Sequence, residues 1–190
     1  APSAPPPGPA LKLRSRGATL SGSEVAAALS RIGFKLPDPP SGASLRESWA
    51  DDTVHEIERE TRSGAPVLID RTTGLMWQAT GSYEHSPSGL VKAAEVDAYV
   101  AGLNGKKHAG FSNWRVPTVE ELASVVGREK RDASWSLLPG FELGAPWFAL
   151  TADKVAGDDS VVWTIDIGAG DLQQYSSTDE YYVLLVRTMK

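Results

Sequence analysis

Histidine is the side chain whose proton exchanges near neutral pH, and this sequence has three, His55, His85 and His108. His55 stands beside Glu56 and reads either as a metal ligand or, the commoner fate, as a solvated histidine. His108 closes a basic turn, Lys106-Lys107-His108, which offers an anion site or an exposed loop. None of the three sits in the neighbourhood of a catalytic base. The sequence has no Gly-x-Ser-x-Gly elbow, no phosphate loop, no dinucleotide glycine fingerprint and no His-Glu-x-x-His. Cysteine is absent, which removes disulfides, thiolate metal sites and cysteine nucleophiles. The expectation is a protein that is not an enzyme, with no catalytic residue and no metal site. A hydrolase-type enzyme would need a base and a nucleophile brought together from distant parts of the chain.

Binding chemistry is easier to find. The loop Asp153-Lys154-Val155-Ala156-Gly157-Asp158-Asp159 gathers carboxylates of the kind calcium takes at flexible geometry. Asp153, Asp158 and Asp159 would be its ligands, although the spacing fits no EF-hand loop and a solvated hairpin turn is the competing reading. No other cofactor is expected. Trp135, Trp147, Tyr175 and Tyr181 fall in or beside the late loops, where exposed rings stack on sugars or anchor a protein interface. The candidate ligand-binding set is therefore Trp135, Trp147, Asp153, Asp158, Asp159, Tyr175 and Tyr181, the alternative being that half of these rings pack inward.

The net charge of −5 argues against sequence-independent binding to nucleic acid. Residues 1–20 carry Lys12, Arg14 and Arg16 without an acid, whereas residues 151–190 carry seven acids against Lys154, Arg187 and Lys190. No apolar run approaches the length of a membrane span. The start, Ala1-Pro2-Ser3-Ala4-Pro5-Pro6-Pro7, reads as a processed or trimmed terminus.

These residues need a frame. Val67-Leu68-Ile69 and Leu75-Met76-Trp77 read as strands joined by Thr72-Thr73-Gly74, with Gly74 able to take positive φ. Thr118 and Glu121 form a capping box, after which Val119, Leu122, Ala123 and Val126 make one apolar helical stripe that Gly127 stops. A second helix opens at Ser86-Pro87, with Leu90, Ala93, Val96, Val100 and Leu103 on its inner face. Trp147 to Thr151, Val161 to Ile167 and Tyr182 to Val186 read as late strands, the last buried on both faces. The predicted class is α+β. A proline-rich tether over 1–10 is followed by an arm over 11–62, containing a short helix at 21–33 capped by Ser21 and Glu24, and then a domain over 63–190. Asp70, Gly74, Trp77, Trp114, Arg115, Thr118 and Glu121 are assigned structural roles, with Asp70 or Glu121 as the carboxylate that Arg115 requires.

The motifs together resemble the family typified by the C-terminal domain of the Lcl collagen-like adhesin. The matches are Asp70, Thr73 to Gln78, Leu103-Asn104, Ala109-Gly110, Trp114-Arg115, Pro117-Thr118, Glu121-Leu122 and Leu185-Val186-Arg187, covering roughly residues 65–190. The resemblance implies a C-type-lectin-like fold with two main helices packed on a twisted antiparallel sheet, distantly similar to the formylglycine-generating enzyme. That enzyme works through cysteine thiols, and its chemistry does not carry over to a chain without them. It further implies a bacterial, extracytoplasmic recognition module, in the periplasm or at the cell surface, that binds a protein or glycan. The family's adhesin is associated with sulfated glycosaminoglycans, a specificity that the acidic C-terminal half argues against here. An intracellular sensor or scaffold attached to a signalling protein is the alternative.

Overall fold

The computed structural model of the chain describes residues 11–49, 55–85, 88–128, 136–144 and 148–189, with backbone alone at Glu84. Through them run β1 (Thr19–Leu20), α1 (Gly22–Ser30), α2 (Leu45–Ser48), β2 (Ile57–Arg62), β3 (Ala65–Asp70), β4 (Leu75–Gln78) and β5 (Leu90–Lys92). There follow α3 (Val96–Gly105), α4 (Val119–Ser124), β6 (Phe148–Val155), β7 (Val161–Asp166), β8 (Asp171–Ser176), β9 (Glu180–Tyr182) and β10 (Val186–Thr188). The class is α+β, with few and short helices set against two sheets.

The predicted hairpin is β3–β4, in register from Val67↔Gln78 to Asp70↔Leu75. Gly74 takes φ 69°, a left-handed conformation that costs glycine nothing. Asp70 closes the turn from within, its carboxylate accepting from the Thr72 amide at 2.9 Å and the Thr73 hydroxyl at 2.7 Å. With β2 and β10 on its flanks the hairpin becomes a four-stranded sheet, ordered β10-β4-β3-β2. Charges of both signs along β2 discourage further pairing at that edge.

The larger sheet is ordered β5-β9-β6-β7-β8, with β1 parallel to β6. Val161, Trp163 and Ile165 face one core as expected, joined by Ile167 beyond the strand end. Tyr182 to Val186, expected as one central strand, is fully buried but is split between the sheets. Tyr182 ends β9 and Val186 begins β10. Alternate residues of the run serve different cores: Tyr182, Leu184 and Val186 enter one cluster, Tyr181, Val183 and Leu185 the other. A chain crossing between two sheets is walled on both sides, which is why it reads as continuously apolar.

The helices differ from expectation in three respects. Ser86 and Pro87 lie outside the described residues, and Leu90–Lys92 is a strand paired with β9, so α3 opens only at Val96. Cross-strand pairing with Tyr181 and Tyr182 claims Leu90 and Val91 before the helix can. Among the described residues no pair of helices dominates: α1, α3 and α4 run to 9, 10 and 6 residues. α4 starts at the predicted capping box, but Gly127 is no left-handed stop; its amide donates to the Ser136 carbonyl at 2.6 Å.

The arm is not peripheral. α1, capped by Ser21 and Glu24, buries Val25, Ala28 and Leu29, and Phe34 and Leu45 enter the same core as Trp77 and Trp163. Asn104, at the end of α3, donates to the Trp114 carbonyl at 2.9 Å and accepts from its amide at 2.8 Å. That pair of hydrogen bonds pins the chain leading into Arg115.

Candidate functional site

The residues given structural roles are knitted inward. Arg115 donates to both carboxylate oxygens of Glu121 at 2.6 Å. Glu121 also accepts from the Thr118 amide at 2.9 Å, and its own amide donates to the Thr118 hydroxyl at 3.3 Å. Capping box and ion pair thus share one carboxylate. Trp77 and Trp114 are buried. Asp70 is not the partner of Arg115; it faces His55, whose Nδ1 lies 2.8 Å from its carboxylate. Burial pushes the Asp70 carboxyl up, but His55, Thr73 and the Thr72 amide outweigh it and hold the group below its ordinary value.

Two of the late-loop candidates, Asp153 and Tyr181, turn inward. Trp135 and Trp147 lie outside the described residues. Asp153 is a correction: it lies within β6, wholly buried. It accepts from Arg14 at 2.6 and 2.9 Å, from the Ala18 amide at 2.8 Å and from the Val119 amide at 2.7 Å. Its partners stand more than a hundred residues away in sequence, or at the N-terminus of α4, so spacing held no sign of them. Asp158 and Asp159 stay exposed beyond the end of β6. There Asp158 accepts from the Ser160 hydroxyl at 2.5 Å and amide at 2.9 Å. These bonds hold its carboxyl below the usual value, the hydroxyl being the larger cause. With Asp153 turned inward, the three acids cannot surround one calcium ion. Among the described residues no cluster of three His, Cys, Asp or Glu could hold a metal.

Tyr181 is likewise corrected. It is fully buried and its hydroxyl donates to the Ser176 carbonyl. Burial first, then Asp179 and Tyr175, push the phenol up to about 12. Of the two described rings, Tyr175 is the one at the surface, 39% exposed, stacked on Phe148 at 4.5 Å.

What the sequence did not signal is a strap. The Leu11 amide donates to the Thr72 carbonyl at 3.0 Å, and the Thr118 hydroxyl to the Arg14 carbonyl at 2.8 Å. Arg14 also pairs with the buried Glu120 at 2.9 Å. The Lys154 amide donates to Ala18 and the Ala156 amide to Leu20, both at 2.9 Å. A Cβ on Gly17 would lie 2.1 Å from the Ala152 carbonyl oxygen; only glycine lets the strap run this close. Arg14 of the basic leader and Asp153 of the acidic C-terminal half thus meet within one packed unit.

Between the strap and α3 opens a cleft of about 520 Å³. Its floor is aliphatic, from Val96 and Val100 of α3, Val116, and Leu150 of β6. Arg16 on the strap and Asp97 on α3 line it too, both exposed. No carboxylate lies within ion-pair distance of Arg16 among the described residues. Such a site can take an apolar body and read the charge at its ends. The opposite flank of α3 carries two smaller pockets, of about 220 and 340 Å³, which share Leu103 and Lys106. The smaller has buried Gln78 and Tyr99 in its wall and His85 edge-on to Tyr99 at 4.9 Å. His108, expected in an exposed turn, is half-buried, and its carbonyl accepts from the Trp114 indole at 2.9 Å.

A family model described as the Lcl C-terminal domain matches residues 66–187. No curated protein matches the chain, and no solved structure does. The strap, α1 and β2 stand outside the matched span, so one wall of the cleft does too.

Proposed function

Because the chain belongs to the Lcl C-terminal domain family, we propose that it is a non-catalytic recognition module, working outside the cytoplasm at the bacterial cell envelope, that binds a protein or glycan ligand. The C-type-lectin-like relationship implied by the family motifs is part of this reading. The observation that carries it is the strap-walled cleft: a preformed aliphatic floor with Arg16 and Asp97 at its margins. The motif residues of the family support it by what they do. Asp70, Asn104, Arg115, Thr118 and Glu121 hold turns, strands and a helix together. They build a platform and leave the surrounding surface free to vary, which is how one fold carries different ligand specificities.

The test is binding by the whole chain, displayed as a multimer on glycan and peptide arrays, with Asp97→Lys and Arg16→Glu, both at exposed positions, as cleft variants. The native chain is expected to give reproducible ligands, and each variant to lose at least tenfold in affinity with an unchanged melting temperature. Binding that survives both variants would remove the cleft from the reading. Turnover of a panel of small esters and amides by the native chain would replace recognition with catalysis.

A further inference from the structure

Among the described residues, three other than glycine take a left-handed backbone: Ser63 (φ 48°), Lys107 (φ 51°) and Ala109 (φ 54°). All three line the pocket of about 340 Å³ on the outer flank of α3, together with Gly64, Lys106 and His108. An L side chain is strained in that region and glycine is not.

Two of these positions are ones that chain geometry assigns to glycine or asparagine. Lys107 follows α3, at the left-handed exit that glycine or asparagine fills with least strain. Ser63 is the first residue of the Ser63-Gly64 turn joining β2 to β3. Both of its residues have positive φ, a geometry that favours Asn-Gly. The fold holds a hydroxyl and an ammonium at two strained positions on separate elements, and both line one pocket. They meet because the turn docks on the segment after α3: a Cβ on Gly110 would stand 3.2 Å from the Ser63 hydroxyl oxygen.

The chemistry gathered there is of one sign. Lys106 and Lys107 are exposed, and among the described residues neither has a carboxylate within ion-pair distance. Among the described residues no acid lines the pocket. A monocarboxylate would satisfy one ammonium and leave its neighbour unpaired. A phosphate monoester, carrying close to two charges and three acceptor oxygens at neutral pH, matches a pocket lined by two lysines, a serine and a histidine. We propose that this pocket binds the phosphate group of a small phosphorylated ligand. The site is independent of the strap cleft and does not rest on it.

The test is a nuclear magnetic resonance titration of the full chain, following the His108 ring and the Gly64 and Lys107 amides at constant ionic strength. The probes are inorganic phosphate, glucose 6-phosphate, glucose and chloride. Saturable shifts with the two phosphates and none with glucose or chloride are expected; tighter binding of the ester identifies the source as a phosphomonoester, equal binding as free phosphate. Lys107→Gly relieves the left-handed strain, so it should melt at the same or a higher temperature while losing at least tenfold in phosphate affinity. Lys106→Met, which changes no strained residue, should lose affinity similarly. Undiminished phosphate binding by both variants would overturn the proposal. So would shifts with phosphate no larger than with chloride, or binding confined to long polyanions.

Discussion

Buried carboxylates do most of the joining in this protein, each serving several donors at once. Asp153 ties the strap, β6 and the start of α4; Glu121 ties Arg115 to the cap of α4; Asp70 ties the hairpin turn to His55. Multiple donors to one ionised carboxylate offset the cost of burying its charge. Asp70 turns this into a dependence on pH. Its folded carboxyl titrates below the ordinary value of 3.8, so its contribution is fully present above that value and is lost as pH falls through the folded one. Urea unfolding followed from pH 6 down to pH 3 should show stability falling below about pH 4. The curve for Asp70→Asn should be flatter across that window. Superimposable slopes for the two proteins would mean that Asp70 gains nothing from its donors on folding.

At the scale of elements, the strap decides most. Its tie to β6 depends on a glycine with the Ala152 carbonyl almost in contact, a conflict that a methyl group meets with backbone, not with a flexible side-chain end. Gly17→Ala should therefore lift residues 15–18 while leaving the sheets intact. Hydrogen exchange at the Lys154 and Ala156 amides, which bond to the strap, should speed up by at least tenfold, with exchange in β3 and β7 unchanged. Equal exchange at all four places would show that the strap tolerates the methyl group. The same element explains a misreading of the sequence. Asp153 looked like a loop acid because the cation that holds it, Arg14, stands in the leader, far away in sequence.

At the scale of the whole molecule, two sheets share one polypeptide crossing at Tyr182–Val186, and the arm closes the core that the sheets leave open. A chain cut to residues 63–190 would lack Arg14, the α1 face of Val25 and Leu29, and Phe34. Loss of Arg14 alone strands a buried carboxylate, a change worth about 3–5 kcal/mol. Each large apolar side chain missing from the core adds several kcal/mol, against a total stability on the order of 5–15 kcal/mol. Circular dichroism of that fragment should show no cooperative melting transition, whereas residues 11–190 should give a single one. A cooperative transition in the fragment would restore the arm to the status of an appendage.

Local order was legible in the sequence wherever its cause was local. The two capping boxes, the Gly74 turn and the inward stripe of β7 are set by residues within a few positions of one another, where turn chemistry and periodicity act before any tertiary contact forms. The family motifs were legible for the same reason. Register across the two sheets, the strap, the inward turn of Asp153 and Tyr181 and the clefts beside α3 depend on groups far apart in sequence. Their energies exist only once the chain has brought Arg14 to Asp153 and the Ser63 turn to Lys107, so tertiary structure alone decided where the clefts of this protein lie.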